Sequence, residues 1–355
     1  MTLTRRALLQ QISLASAGCA LGMPAAATTG DATARRHDWD WLVGNWDVWH
    51  ERLRDRLVGS TTWDRFGGKC NSWPTLGGLG NVDDCLLYLP TGAYRAIGPR
   101  AFDPATGKWS IWWLDGRSAS KLDPPVVGGF DAQEGEFVGD DVHKGTPVKV
   151  RFRWHETHSK RPHWDQAFST DGGKSWEINW RNYFTRTSAT PTPLAFDEPA
   201  PPAAEDWKFL AGEWRVRNRR LMKGGGWEEF DSTLSNRPVM GGLGNVGDNL
   251  FQAGNGDPGK SYRGVSMRAF DTTERVWRSW WLDGRRPATI SSSVAGRFEN
   301  GVGTLIGEDV IDGRKVLVRS RWSNITAKST RWEQATSTDG KRWETNWSAD
   351  LERAG

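Results

Sequence analysis

The chain runs to 355 residues, room for two domains of ordinary size that each bury a core without metals or many disulfides. At 37% hydrophobic and 25% charged residues, the composition is that of a soluble globular protein and does not fit disordered, collagen-like or membrane-embedded classes. Formal charge is +4 with acidic and basic residues interleaved, so no basic stripe offers itself to nucleic acid.

The first element is a leader. Thr4-Arg5-Arg6-Ala7-Leu8, an apolar stretch through Leu21 and the small-residue run Ala25-Ala26-Ala27 resemble a twin-arginine export signal cleaved near Ala27. Residues 1–27 are therefore read as a signal peptide, the destination as periplasmic or secreted, and the mature chain as free of a membrane span. With Cys19 in the leader, only Cys70 and Cys85 remain, and in an oxidising compartment they are expected to form a disulfide. Leu234 and Asn249 stand at the corresponding places in the second half, so the pair appears and vanishes as a unit.

An internal repeat governs the rest. Trp39, Leu42, Gly44 and Trp46 recur as Trp207, Leu210, Gly212 and Trp214, and Leu76 to Val82 recurs as Met240 to Val246. Trp109 to Arg117 returns as Trp277 to Arg285, Val148 to Trp154 as Val316 to Trp322, and Trp164 to Ala167 as Trp332 to Ala335. The copies span residues 38–186 and 205–355. Between them, residues 187–204 carry five prolines, which favours an extended spacer.

Within each copy the apolar period is two. Val148, Val150, Phe152 and Trp154 share one face and Lys149, Arg151 and Arg153 the other, while Trp176, Ile178 and Trp180 alternate with Glu177, Asn179 and Arg181. Turn residues at Asp103 to Gly107, Asp131 to Gly135 and Asp171 to Gly173 separate the runs. Many short antiparallel strands in about 150 residues predict an all-β fold of two tandem up-and-down β-barrels, with a sandwich as the alternative.

The Leu42-x-Gly44-x-Trp46 and Leu210-x-Gly212-x-Trp214 motifs resemble the Gly-x-Trp signature that opens lipocalin-like (calycin) barrels, and each copy is similar to an uncharacterised bacterial family of such domains. The resemblance implies closed barrels in which Trp46 and Trp214 plug one end. The nitrobindin-like branch binds haem through a late histidine. No histidine falls in Trp176 to Thr185 or Trp343 to Leu351, so no cofactor is expected.

The chain has 23 tryptophans, most expected in the core and some at a barrel mouth where a flat face can stack on a ligand. In Trp112-Trp113 and Trp280-Trp281 one ring of each pair should point inward and the other outward. The polar residues shared by the copies complete a candidate ligand-binding set: Arg117 and Arg285, Arg151 and Arg319, Arg153 and Arg321, Gln166 and Gln334, Asn179 and Asn346. The arginines of Arg151-x-Arg153 either line a cavity and grip an anion or form an outer ladder of ion pairs, and period alone does not choose. Ser320 in place of Phe152 is expected to widen the second cavity. His155, His158 and His163 read as a solvated loop rather than a metal site, Ser169 to Trp176 as an Asp-box hairpin brace, and the Gly77 to Gly80 stretch lacks the Lys-Ser/Thr of a phosphate loop.

Three functions remain open. A binding protein would sequester a small, partly apolar or aromatic molecule. An enzyme, by architectural resemblance to tandem lipocalin-like carotenoid hydratases, would use Asp115 or Asp283 as the acid. A scaffold would dock the barrel pair to a partner. Oligomeric state is not legible.

Overall fold

The computed structural model describes residues 34–195, 201–253, 259–311 and 313–354. The leader, with Arg5, Arg6, Cys19 and Ala27, lies outside the described residues.

Each copy begins with a 3-10 turn, Asp40–Leu42 and Lys208–Leu210, that leads into the signature strand. The first barrel comprises β1 (Gly44–Leu53), β2 (Trp63–Thr75), β3 (Gly80–Leu89), β4 (Gly92–Asp103), β5 (Lys108–Ile111), β6 (Leu114–Asp115), β7 (Val126–Asp131), β8 (Glu134–His143), β9 (Thr146–His155), β10 (His163–Ser169) and β11 (Glu177–Ser188). Neighbours in sequence pair antiparallel, and β1 pairs with β11 to close the ring. The short β5 and β6 both pair with β4, as one strand interrupted at Trp112-Trp113. The second barrel is closed by β12 (Gly212–Leu221), β13 (Trp227–Val239), β14 (Gly244–Phe251), β15 (Tyr262–Asp271), β16 (Val276–Asp283), β17 (Val294–Glu299), β18 (Val302–Ile311), β19 (Arg314–Ser323), β20 (Ser329–Ser337) and β21 (Glu344–Arg353). With β5 and β6 counted as one, each is a closed ten-stranded up-and-down barrel, with β6 paired on its β4 side alone. Among the described residues, no helix is long and apolar enough to cross a membrane.

The signature tryptophans fix the parity of every strand. Trp46 donates its indole N–H to Leu42 O at 2.7 Å and Trp214 to Leu210 O at 2.8 Å, so both point inward and seal one end. A late arginine covers each ring from the last strand: Arg186 lies 4.1 Å from the Trp46 ring and bonds Trp41 O and Val43 O, and Arg353 lies 4.5 Å from Trp214 and bonds Phe209 O and Ala211 O.

The barrels share a core. The outward apolar face of β2 to β4, with Trp73, Val82, Ile97 and Ala101, packs on the outward face of β13 to β15, with Val239, Val246, Val265 and Met267. Strands this deeply buried on both faces are typical of sheets covered on both sides. The repeated Gly-rich turns are the knuckles of this contact. Leu76 and Met240, at φ 51° and 49°, each precede a glycine with positive φ and project into the shared layer. Met240 N donates to Asp84 Oδ1 at 3.1 Å, and reciprocally the Leu76 N–H bonds Asp248. The two expected barrels are thus both present and joined by this shared layer.

Candidate functional site

Parity places Trp46, Val48, His50 and Arg52 along one inward line of β1, from the sealed end towards the opposite mouth. Val150, Phe152 and Trp154 do the same on β9, as do Trp180, Asn182 and Phe184 on β11. Between these walls the first barrel holds a cavity of ≈ 290 Å³. Its floor is aromatic, because Trp154 packs edge-on against Trp39 and Trp41 at 5.4 Å. Across its sides Trp164 meets Phe152 at 5.0 Å and Trp180 at 6.0 Å.

The polar groups gather towards the mouth. His50, buried against the face of Phe66 at 4.8 Å, donates from Nδ1 to Asn182 Oδ1 at 2.6 Å; burial pulls its pKa down to about 4, so the ring is neutral. Arg52 and Arg56 stand 4.9 and 5.8 Å from the Trp180 ring, and Arg56 also lies 5.4 Å from Phe168. Arg56 sits on the β1–β2 loop, which Glu177 anchors by accepting the Leu57 N–H at 2.9 and 3.0 Å. Arg117 lies 3.7 Å from the Tyr94 ring while its Nε donates to Asp115 Oδ1 at 3.0 Å. Burial, followed by the Asp141 charge, raises the Asp123 carboxyl to about 6. An amphipathic pocket results: a ring-lined body, into which the paired Asp83 and Arg100 also face, and a cationic, hydrogen-bonding rim.

No family model matches the chain, and no curated protein does. Solved structures with detectable likeness include an S-type phycobiliprotein lyase, CPES, from Guillardia theta, 11% identical over 42% of this chain and 92% of its own, with a TM-score of 0.31. The protein Rv2717c from M. tuberculosis is 13% identical over 44% of this chain and 100% of its own, at TM-score 0.32. A protein of the DUF3598 family from Nostoc punctiforme is 14% identical over 90% of this chain and 99% of its own, at 0.27. At such values none of these carries a residue role to this chain.

The residues singled out from sequence divide into three groups. Trp113, Arg117, Asp115 and Gln166 come together at the cavity. Trp112 also borders it, yet its ring belongs mainly to the layer between the barrels, as does that of Trp280, while Trp113 and Trp281 turn to the aromatic clusters inside their own barrels. The remaining arginines lie elsewhere. Arg151 stacks on Trp176 at 4.3 Å and Arg319 on Trp343 at 4.6 Å, against the ring of each Asp-box hairpin. Arg153 pairs with Glu136 at 2.8 Å and Arg321 with Glu333 at 3.4 Å, all partly exposed. The cavity-lining expectation for these four is corrected to an outer ladder, because their strand neighbours Phe152, Trp154 and Trp322 hold the inner face.

Gln166 donates to Asn179 Oδ1 at 2.8 Å and Gln334 to Asn346 Oδ1 at 3.1 Å. Both pairs sit where the last hairpin shifts register, after Gln166 and after Gln334, so their repetition reflects a braced β-bulge. Asp115 and Asp283 each accept a backbone N–H and the guanidinium of the arginine two residues on. For Asp283 burial acts upward, but the Arg285 bonds outweigh it and hold the carboxyl below its ordinary value, the wrong direction for a proton donor. Arg285 stacks on Tyr262 at 3.7 Å, duplicating Arg117 on Tyr94. Ser320 does not simply leave a void, since Trp332 turns its indole N–H onto Ser320 Oγ at 2.8 Å.

Cys70 and Cys85 lie directly opposite one another in the β2–β3 register with Sγ atoms 2.6 Å apart and unbonded, both bordering the cavity. Together with Asp83 they bring ligand-type atoms within 4.8 Å of one another. Asp83, however, is committed to Arg100 at 2.7 Å, an inward pair that lies 4.4 Å under the Trp39 ring.

Sequence reasoning missed His50, Arg52, Arg56, Asn182 and Asp123. The signal for two of them was present: once Trp46 is taken as inward, period two puts His50 and Arg52 inside as well.

Proposed function

We propose that this is an exported protein whose first barrel binds one small, partly apolar or aromatic molecule. The observation that carries the reading is the ≈ 290 Å³ cavity with ring-lined walls, the internally paired Asp83 and Arg100 near its floor, and Arg52, Arg56 and Arg117 towards its mouth. Rings supply area and stacking, the indole N–H groups of Trp154 and Trp164 are buried without a partner in the protein, and the polar groups towards the mouth orient the guest. A pure scaffold would have no use for such space in a barrel otherwise packed with indoles.

Two experiments test it. Native mass spectrometry of protein purified from its own host should show a retained small molecule on the full chain. Titration with small aromatic compounds should change intrinsic Trp fluorescence saturably, and Trp180→Leu, which opens the wall without touching the second barrel, should abolish that change. No saturable response from any compound, with a ligand-free native mass, would sink the proposal. Export is tested separately: replacing Arg5 and Arg6 with lysine should leave the precursor in the cytoplasm.

A further inference from the structure

Charge at the cavity mouth is unevenly settled between the two barrels. In the second, Arg220 occupies the place of Arg52; it pairs with Glu228 at 2.8 Å and bonds Tyr262 Oη at 3.1 Å while lying over Phe230 and Trp347. Its charge is met inside the protein. In the first barrel the residue opposite Arg52 in the β1–β2 ladder is Asp64, as Glu228 is opposite Arg220. Asp64 is instead taken by Arg54, which donates to its Oδ1 from Nε at 3.1 Å and Nη2 at 2.6 Å on the outer side. Among the described residues, Arg52 is left without a carboxylate in ion-pair contact.

A second cation stands beside it. Arg56 comes from the longer β1–β2 loop, whereas the shorter turn of the second barrel has Gly224, Gly225 and Gly226 there. Among the described residues Arg56 has no ion-pair partner either, and its Nη2 is buried without a hydrogen bond. The other acids near the mouth are engaged or turned away. Asp115 holds Arg117, Glu177 holds the Leu57 N–H, Asp140 holds Lys149 at 2.9 Å, and Asp141 accepts the Val142 N–H at 2.7 Å. Asp123, with its carboxyl raised to about 6, is ionised at neutral pH, but the charges that act on it most are those of Asp141, Lys121 and Asp115 rather than Arg52 or Arg56. Burial and the neighbouring Arg52 lower the Arg56 pKa to about 10, so both guanidiniums are charged at neutral pH; Glu177 attracts Arg56, and Asp115 and Asp64 attract Arg52, without a direct ion pair to either, and burial outweighs them.

Resting on the cavity reading above, we infer that the guest is an amphipathic anion: an aromatic or apolar body between Trp164, Phe168 and Trp180, and a carboxylate-type head that pairs with Arg52 and Arg56. A planar fork donor suits a two-oxygen acceptor, and at a partly desolvated site such a charge-assisted pair is stronger than an ordinary hydrogen bond.

The test uses the full chain and two probes of nearly equal shape, 2-naphthoate and its neutral amide 2-naphthamide, by isothermal titration calorimetry at low salt. Naphthoate should bind roughly 10- to 100-fold more tightly than the amide, the range a charge-assisted bond spans. Arg56→Gln and Arg52→Gln should each erase most of that gap by weakening naphthoate alone, and the outer-face control Arg151→Ala should preserve it. Equal affinity of the two probes for the unaltered protein overturns the anion inference and leaves the apolar cavity standing, and this comparison needs no variant to fold. A gap that persists in both glutamine variants overturns the assignment to these arginines. Binding of neither probe counts against the cavity reading itself and removes the inference with it.

Discussion

At the scale of single residues, His50 shows how burial turns an ordinary side chain into a pH-dependent element. Its ring is 5% exposed and neutral in the folded protein, with a pKa near 4, against 6.5 for a free imidazole. The unfolded chain therefore takes up a proton first as pH falls. Stability from this group is full above about pH 6.5, declines as pH drops towards 4 and is flat below that. Asn218 holds the same place in the second barrel, donating to Ser232 Oγ at 2.8 Å without any titration. His50→Asn should accordingly spare the protein roughly 2 kcal/mol of the stability that the unaltered chain loses between pH 7 and pH 5. Urea unfolding of both proteins at the two pH values checks this, and parallel losses would refute it. The same scale shows why four arginines were assigned to either face from sequence. Arg151 and Arg319 repeat because each covers an Asp-box indole, and Arg153 and Arg321 because each meets a glutamate across the ladder; repetition records a need but not the side of the sheet on which it arises. Parity was recoverable only from a residue whose direction is fixed independently, as that of Trp46 is by its bond to Leu42 O.

At the scale of elements, the strands were legible because their physics is local. Period two marked β9 and the turn residues at Asp103, Asp131 and Asp171 marked three hairpins, which form where Asp and Gly supply capping oxygens and positive φ. Asp171 accepts the Lys174 and Ser175 N–H groups at 3.0 Å, and Asp339 repeats the arrangement with Lys341 and Arg342 at 2.8 and 2.9 Å. The break between β5 and β6 was not legible, since Trp112-Trp113 continues the apolar run and the matching Trp280-Trp281 lies in an unbroken β16. The β2–β3 ladder carries a prediction of its own. Cys70 and Cys85 are directly opposed in register, and the adjacent Cys70 together with burial holds the Cys85 thiol well above its ordinary pKa, so as thiols they are poor nucleophiles. In an oxidising compartment they are expected to be joined, contributing roughly 3 kcal/mol if chain entropy dominates. Alkylation of unreduced protein recovered from the cell envelope should modify neither cysteine; two labelled thiols would contradict the pairing.

At the scale of the molecule, the deciding feature is the layer between the barrels, and this was hidden from the sequence. Val82, Ile97 and Ala101 alternate with cavity-facing residues as outer positions on their strands, and nothing in their spacing says that a second barrel, rather than solvent or a partner, will cover them. The Leu76-Gly77-Gly78 and Met240-Gly241-Gly242 turns looked like failed phosphate loops; their glycines instead let the chain reverse so that Leu76 and Met240 reach across. Because each turn's N–H bonds an aspartate of the opposite barrel, the halves are arranged about an approximate twofold relation, as in a dimer fused into one chain. Fusion raises the effective concentration of one half for the other, so the contact is more fully populated in the single chain than between separate halves. The layer buries Trp73 and Trp112 of the first barrel and Trp280 of the second, which each barrel alone would expose within an apolar patch. Residues 38–186 and 205–355 produced separately should therefore fail to behave as inert monomers: each should self-associate or aggregate, and mixing them should yield a one-to-one complex by sedimentation velocity. In the full chain, Met240→Asp sets a carboxylate against Asp84, whose own carboxyl burial already raises to about 6, and should cost about 2–4 kcal/mol in unfolding free energy at neutral pH. Two well-behaved monomeric halves with no mutual affinity, together with an undisturbed Met240→Asp protein, would show that the layer is incidental and that each barrel stands on its own interior.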